Sequence, residues 1–324
     1  MHNSILLFYL IIVNTMNISI MLPFLLLECI SVKWWVSYLI SISGLLKYVY
    51  NVSTFVKNKE ILFELLDDND KSHSIIIQNH PSQFDFFIPT SFFSVNNKIP
   101  NIFPRSIIYY YTFVFLPGIG MISYLHNNIL ITLNKLQNLK RVDTCKINNN
   151  NWLWFYPEGS VYCKSSRDKS DKWCDDNNKV RMNNCLYPRS GAMSIIHKNN
   201  NIQTIYSICT QYDSIKVGDK YVSLYNTKLP SKVYFDLSKH CLDNEDITEK
   251  TVDIFYDIDK KLCKNIDEEE YVLLNSNYLE LFCLIFQVLF FVFNCYLTYS
   301  YSFVQIYLIS VLSMYYIYLY FDMK

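Results

Sequence analysis

Residues 74–85 read SIIIQNHPSQFD, and this stretch decides the fold that we expect. The run Ser74–Gln78 is rich in β-branched residues and predicts a buried strand. Polar residues follow it directly, and the end of a buried strand is where α/β folds place reactive groups. His80 can act there as a general base, because a histidine imidazole titrates near neutral pH. If a helix starts at Pro81, Asp85 lies about one turn in, where its carboxylate can fix the imidazole tautomer and stabilise the imidazolium.

The spacing of His80 and Asp85 is weak evidence when it stands alone. The chain has six histidines, so a histidine followed five residues later by an aspartate arises by chance with a probability of roughly one in three. Asn79, Pro81 and the strand before them make a reactive site the better interpretation.

A second cluster, WLWFYPEGS at residues 152–160, repeats this arrangement of a strand that ends at a turn. Pro157, Glu158 and Gly159 supply a bend that exposes backbone amides and one carboxylate. Backbone N–H groups at such a bend can bind an anionic or polyol ligand. A plain surface turn over core aromatic residues is the alternative. It is the better interpretation of this cluster alone, because such turns are common.

Around these clusters, strands alternate with helices in the pattern that is typical of an α/β domain. Besides the two strands above, strands are predicted at Ile129–Leu133, Thr204–Thr210, Tyr221–Tyr225 and Lys232–Leu237. Helices are predicted at Asn134–Ile147 and Ile247–Cys263. The asparagine tracts at 148–151 and 199–201 predict loops. The apolar stretch Ile107–Leu125 contains Pro117, Gly118 and Gly120. It predicts a buried turn or a membrane-docked re-entrant segment rather than a further crossing.

The N-terminal part of the chain is apolar enough to predict a membrane anchor. From Ile5 to Leu46 the only charged residues are Glu28 and Lys33. The apolar runs Ile5–Val13, Ile18–Ile30 and Trp34–Leu46 fit either one full span with an interfacial helix or two tilted helices. We expect a retained anchor rather than a cleaved signal peptide, because the apolar character continues where a small-residue cleavage site would be needed.

The C-terminal part predicts a transmembrane hairpin. Residues 281–321 carry no charge, and Asn294 with the stretch 298–302 divides them into Leu281–Leu297 and Phe303–Phe321. Each run approaches one bilayer thickness, and two buried core helices are the alternative. The predicted organisation is therefore an N-terminal membrane anchor at 1–50, an α/β domain at 51–272 and a C-terminal transmembrane hairpin at 273–324.

Charge and cysteine content limit the classes of function. The chain has 29 basic and 29 acidic residues, so it lacks the overall basic field that would attract nucleic acid. Its ten cysteines include no CxxC pair and no usual zinc spacing. We therefore expect free thiols, no metal site, and an α/β domain on the cytosolic side of the membrane.

Together, the two clusters resemble the signature of the glycerolipid acyltransferase family, in which N-H-x4-D is followed along the chain by F-P-E-G-[ST]. The matching residues here are Asn79, His80 and Asp85, then Tyr156-Pro157-Glu158-Gly159-Ser160. Leu116-Pro117-Gly118-Ile119-Gly120 resembles the segment before the family's second motif. The eukaryotic branch that acylates lysophosphatidate (1-acyl-sn-glycerol 3-phosphate) or lysocardiolipin has three further similarities. They are Tyr187-Pro188-Arg189-Ser190, the strand Ile205–Tyr212 and the C-terminal membrane pair.

This resemblance implies a mixed sheet flanked by helices, and an activity in phospholipid biosynthesis. The implied reaction moves a fatty acyl group from acyl-CoA to lysophosphatidate and gives phosphatidate. His80 is implied as the base and Asp85 as its orienting partner. The implied acceptor site consists of Pro157, Glu158, Gly159, Ser160 and Arg189. The implied partners are acyl-CoA as co-substrate, the lysophospholipid and the lipid bilayer of the endoplasmic reticulum, with no metal or redox cofactor and no nucleic acid.

Two positions depart from the family pattern, since Leu133 and Val161 stand where basic residues are usual. The cations that could replace them at an anionic headgroup are Arg189, Lys135, Arg105 and Lys164. The departure leaves open another acceptor, namely lysocardiolipin, another lysophospholipid or glycerol 3-phosphate. A catalytically silent membrane scaffold is an alternative of another class, although the retained His80, Asp85 and Glu158 argue against it. A serine hydrolase is a poorer interpretation, because no G-x-S-x-G motif occurs.

Overall fold

The computed structural model describes residues 5–6, 8–25, 28–66, 73–82, 85, 88–95, 103–109, 120, 128–132, 134–147, 151–213, 229–243, 245–274 and 278–322. The strands are β1 Ser53–Lys57, β2 Ser74–Gln78, β3 Phe103–Tyr109, β4 Ile129–Ile131, β5 Asn151–Phe155, β6 Thr204–Tyr212, β7 Lys232–Cys241 and β8 Val272–Leu273. The α-helices are α1 Asn14–Leu25, α2 Glu28–Tyr48, α3 Lys59–Leu66, α4 Lys135–Asp143, α5 Lys164–Asp176, α6 Gly191–Asn200, α7 Ile247–Leu262, α8 Tyr278–Ser300 and α9 Ser302–Asp322. A π-helical segment lies at Tyr9–Val13, and 3-10 segments lie at Ile88–Ser94 and Glu268–Glu270.

The strands form one mixed sheet in the order β4-β3-β5-β2-β6-β7-β1-β8. The five strands from β4 to β6 in this order run parallel, whereas β7 is antiparallel to β6 and parallel to β1. Strand β2 lies between β5 and β6, with Ile77 in register with both Phe155 and Ser207. The carboxyl ends of these three strands therefore meet at one edge of the sheet, which is where ligands bind in open α/β sheets.

Both faces of the sheet are buried, because successive side chains of a strand point to opposite sides. On one face, Ile76 and Trp154 join an apolar cluster that includes residues of α2 and α3. On the other face, Ile75 and Ile77 join a cluster with residues of α4, α6 and α7. The run of three isoleucines in β2 thus fits a central strand that is covered by helices on both sides.

Local sequence sets the limits of the covering helices. Asp246 caps α7, where its side chain accepts hydrogen bonds from the backbone N–H groups of Thr248 and Glu249. The buried residues of α7 recur at intervals of three and four, which is the period of one helix face. They are Ile247, Thr251, Ile254, Phe255, Ile258, Asp259 and Leu262. Asn134 caps α4 in the same way, so it precedes that helix.

The structure confirms the mixed α/β architecture and most of the predicted elements. Strands β2, β4, β5, β6 and β7 fall at predicted positions, while the strand predicted at Tyr221–Tyr225 lies outside the described residues. The predicted helix Asn134–Ile147 ends earlier, at Asp143. The interruption predicted near Lys33 is wrong, because Lys33 lies inside the continuous helix α2. Most of Ile107–Leu125 also lies outside the described residues.

The apolar helices at the two ends of the chain pack against each other. Within the described ranges, α8 is the one helix that is long and apolar enough to cross a membrane, with a mean hydropathy of 2.1. Shorter apolar helical stretches lie at Tyr9–Leu22 and Ser302–Ile317. The predicted division of the C-terminal run is found at Tyr301, between α8 and α9. A second C-terminal crossing and an N-terminal crossing stay predictions.

Candidate active site

The loop after β2 is tied to the neighbouring strand β6 by Asn79. The Asn79 side chain donates to the backbone oxygen of Thr210 at 3.1 Å and accepts from the backbone N–H of Thr210 at 2.7 Å. Gln78, just before it, donates to the Thr210 hydroxyl at 2.7 Å and accepts from the Trp154 indole N–H at 2.9 Å. These buried contacts fix the point at which His80 leaves the sheet.

His80 and Asp85 are brought together as the sequence predicts. Nδ1 of His80 lies 2.9 Å from Oδ2 of Asp85. The same carboxylate oxygen accepts a hydrogen bond from the backbone N–H of Ser82 at 2.7 Å. With Nδ1 donating to the carboxylate, Nε2 keeps the lone pair that a general base needs. Asp85 is fully buried and the His80 side chain is 20% exposed.

The backbone that joins these two residues differs from the predicted helix. Pro81 lies in a bend and Asp85 in a turn, and the 3-10 segment begins only at Ile88. The backbone N–H of Asp85 donates to the oxygen of Ser82 at 3.4 Å, which closes this turn. The turn brings the carboxylate back to the imidazole without a helix.

Two tyrosines hold Asp85 in place, one in β6 and one just after β5. The Tyr212 hydroxyl donates to Oδ1 of Asp85, and the Tyr156 hydroxyl donates to its backbone oxygen at 2.9 Å. Burial raises the pKa of the Asp85 carboxyl, whereas the hydrogen bonds from His80, Tyr212 and Ser82 act to lower it. Burial also raises the pKa of Tyr156 and Tyr212 well above the ordinary value. Both hydroxyls therefore stay protonated as donors.

Glu158 joins the two sequence motifs through hydrogen bonds. Its Oε1 accepts from the backbone N–H of His80 at 2.7 Å, and its Oε2 accepts from the backbone N–H of Leu186 at 2.8 Å. The backbone N–H of Tyr162 donates to the oxygen of His80 at 2.9 Å, which adds a second link. The side chain is buried, and this burial raises its pKa to about 8. Both carboxyl oxygens of Glu158 thus hold loops around the imidazole.

Gly159 and Arg189 form a close pair at the turn after β5. Gly159 has a φ of +68°, and its backbone N–H donates to the oxygen of Tyr156 at 2.9 Å. A Cβ at this position would lie 3.2 Å from Cδ of Arg189. The backbone N–H of Arg189 donates to the oxygen of Pro157 at 2.7 Å. The segment that carries Arg189 therefore folds back over the turn and places an exposed guanidinium above it.

An open cleft of about 2220 Å³ begins beside these residues. Of the predicted acceptor site, Glu158, Gly159, Ser160 and Arg189 line this cleft, whereas Pro157 is buried. Pro81 also lines the cleft. The imidazole of His80 is not part of this wall, although Pro81 and Glu158 adjoin it. The volume of the cleft measures room for a ligand and does not identify a reactive group.

Of the three other cations predicted at the headgroup, the structure describes the side chain of Lys164 alone. Lys164 is exposed and lines the cleft at the start of α5. Leu133 and the side chains of Arg105 and Lys135 lie outside the described residues, as do Leu116–Ile119. Val161 lines the cleft next to Ser160. Of the residues that the structure describes, no three His, Cys, Asp or Glu side chains are grouped as ligands for a metal ion.

Sequence reasoning missed the tyrosines that contact Asp85. The sequence pattern places Tyr212 in a strand and Tyr156 among core aromatic residues, and it predicts no contact for either. Tyr212 lies at the carboxyl end of β6, beside β2 and parallel to it, so strand order is the signal that would have revealed it. The sequence alone does not give that order.

Residues 54–209, just under half of the chain, match the family model described as Acyltransferase. The matched segment runs from β1 into β6 and contains His80, Asp85 and the turn at Glu158. The match supports an enzyme with a general acyltransferase activity, which in this family implies an acyl donor and a lipid acceptor. The chain has no significant match among curated proteins or solved structures.

Proposed function

We propose, on the premise of the acyltransferase match, that this protein transfers a fatty acyl group from acyl-CoA to the free hydroxyl of lysophosphatidate and forms phosphatidate. The observation that carries the proposal is the pair of His80 and Asp85, whose Nδ1 and Oδ2 atoms are 2.9 Å apart. This pair lies at the carboxyl end of a central strand and within the matched segment. It has the geometry of a base with its orienting carboxylate.

The reaction needs one proton acceptor and no covalent enzyme intermediate. Nε2 of His80 takes the proton from the acceptor hydroxyl while the hydroxyl oxygen attacks the thioester carbonyl. The new ester bond forms, the carbon–sulfur bond breaks, and the imidazolium returns the proton to the leaving CoA thiolate. A thiol has a pKa of about 8.5, far below that of an alcohol, so the thiolate leaves readily. Asp85 stabilises the imidazolium between these steps.

The acceptor would lie against the turn that follows β5. Gly159 and Ser160 line the cleft there, and the Arg189 guanidinium lies over Gly159. A guanidinium can bind a phosphate through two parallel hydrogen bonds. Arg189 is therefore our candidate for the phosphate of lysophosphatidate, in place of the basic residue that Leu133 and Val161 do not provide.

The apolar helices would keep the enzyme at the bilayer in which its acceptor resides. Helix α8 supports membrane association, and we propose the endoplasmic reticulum with the α/β domain on the cytosolic side. The nine cysteines whose side chains the structure describes are all free thiols, which fits a reducing compartment. Acyl-CoA, a soluble donor, would reach the site from the cytosol.

A second candidate function keeps the reaction and changes the acceptor. Val161, at the cleft wall, adds no charge to the site, and Arg189 provides a single guanidinium. These residues do not specify one headgroup. The alternative acceptor is therefore lysocardiolipin, another lysophospholipid or glycerol 3-phosphate.

The test uses the full chain in detergent micelles with labelled acyl-CoA and a panel of these acceptors. We expect label in phosphatidate, and a loss of about 100-fold or more in the rate with His80→Ala. His197→Ala is the matched control, because His197 lies outside the site, in the last turn of α6. Equal rates for His80→Ala and the wild type would refute the mechanism. A preference for another acceptor would support the second candidate, and no transfer to any acceptor would support a silent scaffold.

A further inference from the structure

One wall of the cleft is formed by helix α5, which the reaction at His80 does not use. Ser166, Lys169, Ser170 and Trp173 of this helix line the cleft. They recur at intervals of three and four residues, so they share one helix face. Helix α5 therefore presents a continuous polar and aromatic surface to the cleft.

Three lysines give this wall a positive charge. Lys164 and Lys169 lie on α5, Lys179 lies just after it, and all three are exposed and line the cleft. The ion pairs of this region join Arg167 to Asp171 and Arg181 to Asp175. Within the described part of the chain, the three ammonium groups have no acidic partner. They are available to an anionic ligand.

The acidic residues that line the cleft belong to elements other than α5. Glu249 and Asp253 belong to α7, and Asp213 follows β6 and accepts a hydrogen bond from the Ser231 hydroxyl. Glu158 is buried and bonded to backbone amides. Lys264, just after α7, also lines the cleft, so three of the four described lysines that line it lie on the side of α5.

An exposed aromatic pair stands beside the lysines. The rings of Trp173 and Tyr187 have centroids 5.1 Å apart and an interplanar angle of 39°. The Trp173 side chain is 47% exposed, which is unusual for so large an aromatic residue. The backbone N–H of Tyr187 donates to the Ser170 hydroxyl at 3.0 Å, which fixes the segment of Tyr187 to α5. A flat ring can stack on this exposed indole.

We propose that the α5 wall binds the nucleotide end of the acyl donor, with its phosphates at Lys164, Lys169 and Lys179 and its adenine ring on Trp173. This inference rests on the proposed function and names the donor subsite. Coenzyme A carries an adenine ring, a diphosphate and a 3'-phosphate, so it matches adjacent cations and an aromatic face. Its thioester end would point toward Pro81 and Glu158, which adjoin His80 at the other part of the cleft.

The position of the α5 wall favours the donor over the lipid acceptor. In the described part of the chain, no residue of α1, α2, α8 or α9 lines the cleft. The α5 wall is therefore apart from the apolar helices, and the phosphate of the acceptor is assigned to Arg189, at the turn after β5. A soluble nucleotide needs an open, cationic groove, and the α5 wall lines one.

The test measures binding without turnover, using full-length His80→Ala protein in detergent micelles and radiolabelled CoA. We expect Lys169→Ala and Trp173→Ala each to weaken CoA binding by about tenfold. Lys172→Ala is the matched control, because Lys172 lies on the same helix outside the cleft, and its affinity should stay within about twofold. Adenosine 3',5'-bisphosphate should compete with CoA, whereas inorganic phosphate at the same concentration should not.

The possible outcomes separate this inference from the proposed function. Unchanged CoA affinity in both α5 variants would overturn the donor subsite. The donor subsite would also be overturned if Lys169→Ala lost affinity for lysophosphatidate micelles and kept its affinity for CoA. That result would assign the α5 wall to the acceptor. CoA binding that is tight and depends on Lys169 would support the donor subsite. If the wild type then transferred no acyl group, the proposed function would be refuted and the donor subsite would stand.

Discussion

Oε1 of Glu158 accepts a hydrogen bond at 2.7 Å from the backbone N–H of His80, a residue 78 positions earlier in the chain. The second motif thereby holds the loop that carries the proposed base. Because the other carboxyl oxygen is bonded to the backbone of Leu186, the side chain bridges three segments that are far apart in sequence. Glu158 therefore acts on the geometry of the site, and its protonation state affects stability.

The first prediction concerns the pH dependence of stability. Burial raises the pKa of Glu158 from an ordinary value of 4.5 to about 8. A raised folded-state pKa means that the folded state holds a proton that the unfolded state has lost. The stabilisation that comes from this proton is fully present below the ordinary pKa and is lost as the pH rises through about 8. We expect the free energy of unfolding to fall between about pH 5 and 8 by up to about 1.4 kcal/mol per pH unit.

Chemical denaturation in detergent micelles checks this slope. Glu158→Gln removes the titrating group, so its free energy of unfolding should change less with pH, although it also loses an acceptor for one backbone amide. Glu60→Gln, an exposed position in α3, should keep the wild-type slope. A slope that persists in Glu158→Gln would show that another group is responsible.

The second prediction concerns the pH dependence of activity. The Tyr212 hydroxyl donates to Asp85, and this bond lowers the pKa of a carboxyl that burial raises. Tyr212→Phe removes the bond, so the pKa of Asp85 should rise further. Because the proposed mechanism uses the ionised carboxylate, the acid limb of the kcat/KM profile should move to higher pH. A hydrogen bond to a charged group contributes about 1.5–3 kcal/mol. This free energy sets the scale by which kcat/KM should fall on the acid limb of the profile.

The control for this profile is Tyr206→Phe. Tyr206 is a neighbour in β6, and its hydroxyl donates to Glu64, outside the site, at 2.7 Å. Its acid limb should stay at the wild-type position. If the two variants give the same profile, Tyr212 does not tune the carboxylate.

The pairing of His80 with Asp85 could be predicted because the two residues are close in sequence and a single turn joins them. The bonds of Glu158 and Tyr212 could not, because they depend on β2 lying between β5 and β6. Nothing in the local pattern of three separate strands specifies that order. Sequence spacing therefore predicted the contact between His80 and Asp85 and missed the groups that hold this pair.

Some elements of the fold were missed for local reasons. Strand β3 contains Pro104, a residue that lacks the N–H needed in a strand ladder and argues against a strand interior. Lys33 interrupts the apolar run in the sequence, yet helix α2 continues through it. A single exposed lysine is tolerated on one face of a helix, because its long side chain can reach water. Charge position alone was a poor guide to the helix boundary.

The third prediction concerns the turn after β5. Gly159 has a φ of +68°, and a Cβ there would meet Arg189. Gly159→Ala should lower the free energy of unfolding by about 1–2 kcal/mol, which is the cost of left-handed backbone in a residue with a side chain. It should also raise the KM for lysophosphatidate by displacing the guanidinium. Gly191→Ala is the control, because no atom lies within 4 Å of the added Cβ. Equal stability of the two variants would contradict the predicted strain.

The last prediction concerns the contact that joins the two ends of the chain. A Cβ on Gly44 of α2 would lie 2.7 Å from the backbone oxygen of Glu280 of α8, so the helices touch at this point. Oε1 of Glu280 accepts from the hydroxyl of Ser43 at 2.7 Å and from that of Ser94 at 2.9 Å. These bonds connect α8 to α2 and to the 3-10 segment of the α/β domain. The small residue and the buried carboxylate thus fix one helix pair against the domain.

Gly44→Ala must separate α2 from α8, because the atom it meets belongs to the backbone and cannot rotate away. We expect a loss of about 1–3 kcal/mol in the free energy of unfolding, the usual cost of overpacking. The separation would also weaken the bonds of Glu280, so limited proteolysis should degrade the variant faster than the wild type. Gly191→Ala should show neither effect. A Gly44→Ala protein as stable and as resistant as the wild type would mean that the two ends of the chain are not held together by this contact.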